Sequence, residues 1–404
     1  MRRRSFLVSP LAAAVAAQKP HVLIGEPRLV AEAPAEEKRW GHFQFPSFHP
    51  LRDGRIAVRF SVHDDAAEAY GLPAAVPNSY VSADQGRTWR ADADTRGDAA
   101  LLLPNGDRLQ VITPRPFQVA DLSLPRPVGS HPGSYNDGLT TFYRLPELPE
   151  KLRAVWCSRL AKGAAEWVEE YGRLNDPQAL RYSLRGLFPI VWWGDMRVLR
   201  DGSLLAGIYP GYLEGQKNFP SNAFFYRSTD SGGSWDVRGR ILYEPDLQAD
   251  SHGAERGGFT EPAYEILRDT SLLTVLRTTD GLGVGPMYLS RSRDDGKTWS
   301  RPLAFTRTGV LPRLLLLRNG VLVLSSGRPG VDLRFSFDGR GERWTEPYTL
   351  VPVTSANLSA DSCGYTSLHA LNAHSFLIAY SWFKRPGADG REHKAILVRR
   401  VEVG

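Results

Sequence analysis

The sequence predicts an all-β chain, a six-bladed β-propeller, on three observations. A strand–tight turn–strand unit returns six times. A second turn with a fixed Ser-x-Asp frame returns between the units. Gly (38) and Pro (29) are frequent but scattered, as a chain of many turns requires. Six hairpins, each followed by room for two more strands, describe six short four-stranded sheets; packed radially, they bury both faces and leave few edges.

The hairpin unit reads FPSFHPLRDGRIAVRF at 45–60, GDAALLLPNGDRLQVI at 97–112 and WGDMRVLRDGSLLAGIY at 193–209. It continues as TEPAYEILRDTSLLTVLR at 260–277, LPRLLLLRNGVLVLSS at 311–326 and GYTSLHALNAHSFLIAYSW at 364–382. Asp-Gly or Asn-Gly supplies the positive φ of a two-residue turn in four copies, and Asp269-Thr270 and Asn372-Ala373 are degraded versions. The N-terminal HVLIGEPRLV is expected to complete the last blade.

The second turn reads SADQGRTW at 82–89, STDSGGSW at 228–235 and SRDDGKTW at 292–299, with a looser copy, SFDGRGERW, at 336–344. Its Asp accepts backbone N–H groups, its Gly takes the strained position and its Trp packs beneath the hairpin. Such turns belong at blade edges, so they carry architecture and no catalysis. Residues 159–186 break the period. Their Ala, Glu, Trp and Leu recur at helical spacing, which predicts a helical insertion beside the propeller.

Bulk properties narrow the function. The chain has 404 residues, 42% hydrophobic and 23% charged, as in a globular protein. A formal charge of +6 with no Lys/Arg block beyond the first four residues argues against a nucleic-acid partner. Arg3-Arg4-Ser5-Phe6-Leu7 resembles the R-R-x-F-L core of a twin-arginine signal; a short apolar run and the small residues Ala14-Val15-Ala16 follow. The expected organisation is a signal over 1–17 and a propeller over 18–404, periplasmic or secreted, with no membrane span. Without the signal the charge is +3, since three Arg and no acid leave with it. Cys157 and Cys363 lack metal-ligand spacing; buried free thiols are the default expectation, with a disulfide possible outside the cytoplasm. No H-E-x-x-H, EF-hand loop or nucleotide-binding glycine loop is present, so neither metal nor organic cofactor is expected.

Innermost propeller strands surround the axis, so equivalent positions face one funnel. Seven residues before the turn Asp or Asn stand Pro46, Asp98, Gly194, Pro262, Pro312 and Tyr365, and Glu261 stands one step earlier. Arg277 and Arg328 end the second strands of successive units. Each alone is compatible with packing or a structural ion pair. Together they bring a phenol, a carboxylate and two guanidinium groups toward one cup.

Over essentially its whole mature length the chain resembles the bacterial sialidase (exo-α-neuraminidase) superfamily, whose edge turns are called Asp-boxes. G-Y-T-S-L at 364–368 resembles the family's G-Y-S-x-L, which implies Tyr365 as nucleophile. T-E-P at 260–262 with Arg277 resembles the segment carrying the partner glutamate and one carboxylate-binding arginine, and Gly327-Arg328-Pro329 stands where a further arginine is expected. F-Q-F-P-S-F at 43–48 resembles F-R-I-P-S-L, with Gln44 in place of arginine. The resemblance implies a retaining glycosidase that releases terminal sialic acid or a related acidic sugar. A neutral phenol suits a substrate whose anomeric carbon bears a carboxylate, and Glu261 would take its proton. Arginines would hold that carboxylate. Asp64 or Asp65, in the loop SVHDDAAEAYG at 61–71, would serve as acid/base, with Glu68 a further candidate.

Gln44 brings no charge. Arg59 or Arg115 could fill the gap, the substrate could be another glycoside, or hydrolysis could be lost. Arg197, Asp195 and Arg313 begin inner strands as secondary lining candidates, and Trp192-Trp193 fits either a sugar platform or core packing. His42 and His63 flank the loop and read as structural or exposed. Two other readings remain beside the enzyme: a non-catalytic Asp-box propeller that binds glycan or protein, and a glycosidase or lyase acting on another polysaccharide.

Overall fold

The computed structural model of the protein describes residues 20–65, 78–92, 100–133, 138–279 and 281–404. The described residues are nearly all β. Their helical content is four three-residue 3-10 turns, at Val119–Asp121, Leu145–Glu147, Glu150–Leu152 and Gly253–Glu255. Among them no helix is long and apolar enough to cross a membrane. The signal at 1–17, Glu68 and Asp98 lie outside the described residues.

Antiparallel hairpins form at all six repeated units. Three of them open separate four-stranded sheets. These are His42–Pro50, Ile56–Val62, Asn78–Ser82 and Arg90–Ala91; then Phe259–Ile266, Leu272–Thr278, Tyr288–Ser292 and Leu303–Ala304; then Val310–Leu316, Leu322–Gly327, Val331–Ser336 and Tyr348–Val351. A five-stranded sheet runs Thr366–Ala370, Ser375–Pro386, Glu392–Val403 and then back to the N-terminal strands. Val22 pairs with Val403 and Arg28 with Val398.

The remaining hairpins share a thirteen-stranded sheet. Val168–Asn175 lies parallel to Ser234–Ile241 and joins the unit begun at Leu101–Leu102 to the one begun at Trp193–Val198. The helix expected over 159–186 is absent. Those residues contribute to the strands Ala154–Leu160, Val168–Asn175 and Ala179–Leu184. Gly163, Gly172 and Pro177 all oppose a helix, and Val168 and Tyr171 favour a strand. Pairing with Ala154–Leu160 and an ion pair from Arg159 to Glu170 at 2.7 Å then outweigh the helical spacing.

The recurring edge turn has one hydrogen-bond plan. Ser82 Oγ donates to Asp84 (2.8 Å), the Gly86 N–H donates to Ser82 Oγ (2.8 Å), and the Thr88 N–H donates to Asp84 (2.9 Å). Ser228, Asp230, Gly232 and Ser234 repeat it, as do Ser292, Asp294, Gly296 and Thr298. The Thr88 side chain and then its N–H hold the Asp84 carboxyl down at about 2. In the later copies the indole closes the turn: Trp235 and Trp299 donate to the carbonyls of Gly232 (3.2 Å) and Gly296 (3.1 Å). Trp235 is wholly buried against Trp192, a burial whose loss typically costs about 3–5 kcal/mol.

Strands from five of the six hairpins line a central cavity of about 550 Å³. It is lined by Phe48, Leu109, Asp195, Arg197, Arg313 and Ser367, among others. Thr366–Ala370 touches both His42–Pro50 and Val310–Leu316; the chain of contacts continues through Phe259–Ile266 to Trp193–Val198. Residues at equivalent positions of different sheets are thereby brought together.

One inner-strand group makes stability depend on pH. Burial, and then the charge of Arg59, pull His49 down from 6.5 to about 4. Between those values the unfolded chain binds a proton that the folded protein refuses, so stability falls as pH drops from 6.5 and the loss is complete below about 4. Replacing His49→Gln removes this increment. Urea unfolding across that window is expected to show a shallower acid decline in the variant than in the wild type.

Candidate active site

The site begins with a backbone irregularity that recurs. Phe45, Glu261, Leu311 and Gly364 each stand eight residues before the Asp or Asn of their hairpin turn, and all four have positive φ (55°, 50°, 38° and 77°). Ladder register slips beside the first three, between Gln44 and Ser47, Thr260 and Ala263, and Val310 and Arg313. A bulge of this kind re-aims the side chains next to it. It also places non-glycine residues in a left-handed conformation that costs about 1–3 kcal/mol each, a strain often concentrated at functional sites.

Glu261 is the centre of the cluster. Its carboxylate accepts hydrogen bonds from the Tyr365 hydroxyl, from Arg277 Nη1 (2.6 Å) and from the Leu311 N–H (2.8 Å). Arg277 Nη1 also lies 3.0 Å from the Tyr365 hydroxyl oxygen. Glu261 is 6% exposed and Arg277 5%, so this charge pair is effectively desolvated. Burial, and then the Glu261 charge, push the Tyr365 phenol well above its ordinary 10, while Arg277 and Arg328 pull the other way. At neutral pH the phenol is therefore protonated, beside a group placed to accept the proton.

Arg328 completes the cluster from the next hairpin. Its Nε donates to the Cys363 carbonyl (2.9 Å), and its guanidinium carbon lies 5.1 Å from the Trp40 ring and 5.7 Å from that of Tyr365. Gly364 makes this approach possible: a Cβ there would stand 2.8 Å from the Arg328 nitrogen. The Phe45 ring packs edge-on to Tyr365 at 4.8 Å.

The remaining sequence-derived candidates take several places. Asp64 and Asp65 are exposed at the rim. Asp65 accepts the Trp40 indole N–H (3.2 Å), while Asp64 lies 3.8 Å from His42 Nε2. Gln44 is wholly buried, and neither amide atom has a hydrogen-bond partner among the described residues. Arg59 lies beside His49, and Arg115 is exposed. Asp195, Arg197 and Arg313 form a separate ionic group in the central cavity. Asp195 is 3.1 Å from Arg313 and 3.7 Å from Arg197, which also approaches Glu265 at 3.9 Å. Trp192 stacks on Tyr226 in the core. Both cysteines are buried and free.

Sequence reasoning missed Trp40, the Phe45 ring and the Leu311 N–H. The eight-residue offset would have found Phe45 and Leu311; Trp40 has no such marker.

No family model matches the chain, and no curated protein matches it. Solved structures similar to it include a protein of unknown function from Dyadobacter fermentans DSM 18053, 18% identical over 95% of this chain and 99% of that one, with a TM-score of 0.60. The Trypanosoma rangeli sialidase in complex with sialic acid is 13% identical over 95% of this chain and 59% of its own, with a TM-score of 0.47. A mutant Fusarium graminearum α-L-arabinofuranosidase in complex with an iminosugar inhibitor is 13% identical over 93% and 97%, with a TM-score of 0.49. At 18% identity the likeness to the Dyadobacter protein is one of fold.

Charge balance around Glu261 predicts unequal costs of substitution. Glu261→Ala leaves the buried Arg277 without this carboxylate and is expected to cost about 3–5 kcal/mol. Tyr365→Phe removes one hydroxyl and is expected to cost about 1 kcal/mol. Urea unfolding at neutral pH measures both, and equal losses would contradict the central role of Glu261.

Proposed function

We propose that the chain is an exported, sialidase-like glycoside hydrolase that releases terminal sialic acid or a related acidic sugar with retention. The fold in this reading is a six-bladed β-propeller, one blade per hairpin, and its edge turns are Asp-boxes. The observation that carries the reading is the Tyr365 hydroxyl donating to Glu261 while Arg277 contacts both.

A carboxylate on the substrate's anomeric carbon repels an anionic nucleophile, and a neutral phenol avoids that repulsion. As the Tyr365 oxygen bonds to the anomeric carbon, its proton passes to Glu261. The glycosidic bond breaks, and a rim aspartic acid (Asp64 or Asp65) gives its proton to the departing oxygen. Water then attacks the tyrosyl–glycosyl bond, surrenders a proton to that same aspartate, and the phenolate recovers its own from Glu261. Two inversions at one carbon give net retention. Protonation of Glu261 removes the negative charge opposite Arg277, so the guanidinium turns its full attraction on the substrate carboxylate and the developing phenolate. Arg328 is the second cation available to that carboxylate, held at its place by the Cys363 carbonyl and two aromatic faces.

Gln44 favours a second reading. It stands where the sialidase motif has arginine, is neutral and is wholly buried, which suits a non-catalytic glycan-binding propeller or an enzyme for a different polysaccharide. A fluorogenic sialoside assay separates these readings. Wild type is expected to turn over, with the first-released sugar in the substrate's own anomeric configuration by NMR. Glu261→Gln is expected to lose about 10²–10⁴-fold, and Tyr365→Phe to form no tyrosyl–glycosyl adduct. Glycan binding without product, unchanged by Tyr365→Phe, would replace the enzyme reading with the binding one. Export rests on the twin-arginine-like start and is checked by intact mass: the exported protein is expected to lack residues 1–17.

A further inference from the structure

The proposed reaction needs one carboxylate held at the rim of the Tyr365 cluster, and two adjacent aspartates are available. We propose that Trp40 is the positioning residue that selects Asp65 as the acid/base; the proposal rests on the glycosidase reading above.

Trp40 connects the rim to the cluster. Its indole N–H, a donor with no acceptor function, points at Asp65 Oδ2 (3.2 Å), while its ring lies 5.1 Å from the Arg328 guanidinium carbon. Arg328 in turn faces the Tyr365 ring. Asp65, Trp40, Arg328 and Tyr365 thus form one continuous series of contacts. Asp64 is turned elsewhere, toward His42, which also approaches Glu37 at 3.6 Å.

The ring itself is fixed from two sides. Phe45 and Phe383 meet it edge-on at 6.5 and 6.1 Å. The buried Lys394 ammonium donates to the carbonyl of Arg39 (2.6 Å), the residue before Trp40, and lies 4.9 Å from the Phe383 ring. A separate observation shows that the Trp40 segment is fitted to the aspartate segment. Gly41 has φ +93°, and a Cβ there would come within 2.2 Å of the His63 carbonyl oxygen and 2.8 Å of the Asp65 nitrogen. The two backbones touch, so the position of Trp40 sets that of Asp65.

An acid is needed most when the leaving group is a poor one, so its positioning residue is read from a leaving-group series. Aryl sialosides carrying phenols of low and high pKa are compared across wild type, Asp65→Asn, Asp64→Asn and Trp40→Phe. Phenylalanine keeps an aromatic face, though a smaller one, and deletes the donor. Asp65→Asn is expected to lose far more activity on the poor leaving groups than on the good ones. Trp40→Phe is expected to show the same skew at roughly ten- to hundredfold, the worth of one hydrogen bond to a charged group. In ¹⁵N-labelled protein the Trp40 indole N–H resonance, identified by its loss in Trp40→Phe, is expected to shift in Asp65→Asn. An active wild type with an equal loss on every substrate in Trp40→Phe overturns the positioning role alone. So does a skew in Asp64→Asn instead of Asp65→Asn, or an indole resonance indifferent to Asp65→Asn. A wild type that cleaves none of the series defeats the glycosidase reading, and the positioning role falls with it.

Discussion

A carboxylate as buried as Glu261 must have its charge answered by nearby donors, and here the answers come from three hairpins. Arg277 belongs to its own hairpin, the Leu311 N–H to the next and the Tyr365 hydroxyl to the one after. An unanswered charge at this depth would cost several kcal/mol. The three hairpins are therefore held in mutual register by a demand of electrostatics as well as by their apolar cores. The same demand places a phenol against a carboxylate, so the group that locks the sheets together is also the one that takes the phenol's proton in the proposed reaction.

Backbone conformation is what brings those donors within reach. A regular strand would carry Glu261, Phe45 and Leu311 past the mouth with alternating side chains. The left-handed residue eight positions before the turn interrupts that alternation in each case. Strain of this kind persists only where the surroundings over-determine it, and the following strands supply that constraint: Leu272–Thr278 and Leu322–Gly327 are buried throughout. Apolar packing in the sheets thus offsets the irregular backbone at their inner ends.

These relations explain which features were legible in the sequence. Hairpins were legible because Asp-Gly and Asn-Gly turns carry their own geometry, and the degraded copies at Asp269-Thr270 and Asn372-Ala373 could be aligned to them. Tyr365, Glu261, Arg277 and Arg328 emerged as a group because each occupies a counted position in its unit. The helix over 159–186 failed for the opposite reason. Helical spacing is a local signal, and pairing with Ala154–Leu160 is not. The same distinction hides the contribution of Leu311, which is a backbone N–H and has no side-chain signature. Trp40 belongs to no repeat, and its neighbours Arg328 and Phe383 lie far along the chain.

The seam of the last sheet has a consequence for how the molecule comes into being. Among the described residues Val22–Ile24 and Arg28–Glu32 pair as strands with Glu392–Val403, and the His21 N–H donates to the Gly404 carbonyl at 2.8 Å. During synthesis the earliest of these segments must wait, with open backbone groups and apolar Val30 and Ala31, until the latest has been made. Such long-range closure is slow, and a waiting strand is a template for pairing with another molecule. Yield of this protein is thus a race between an intramolecular zipper and self-association, and low concentration during folding tilts that race toward closure within one chain.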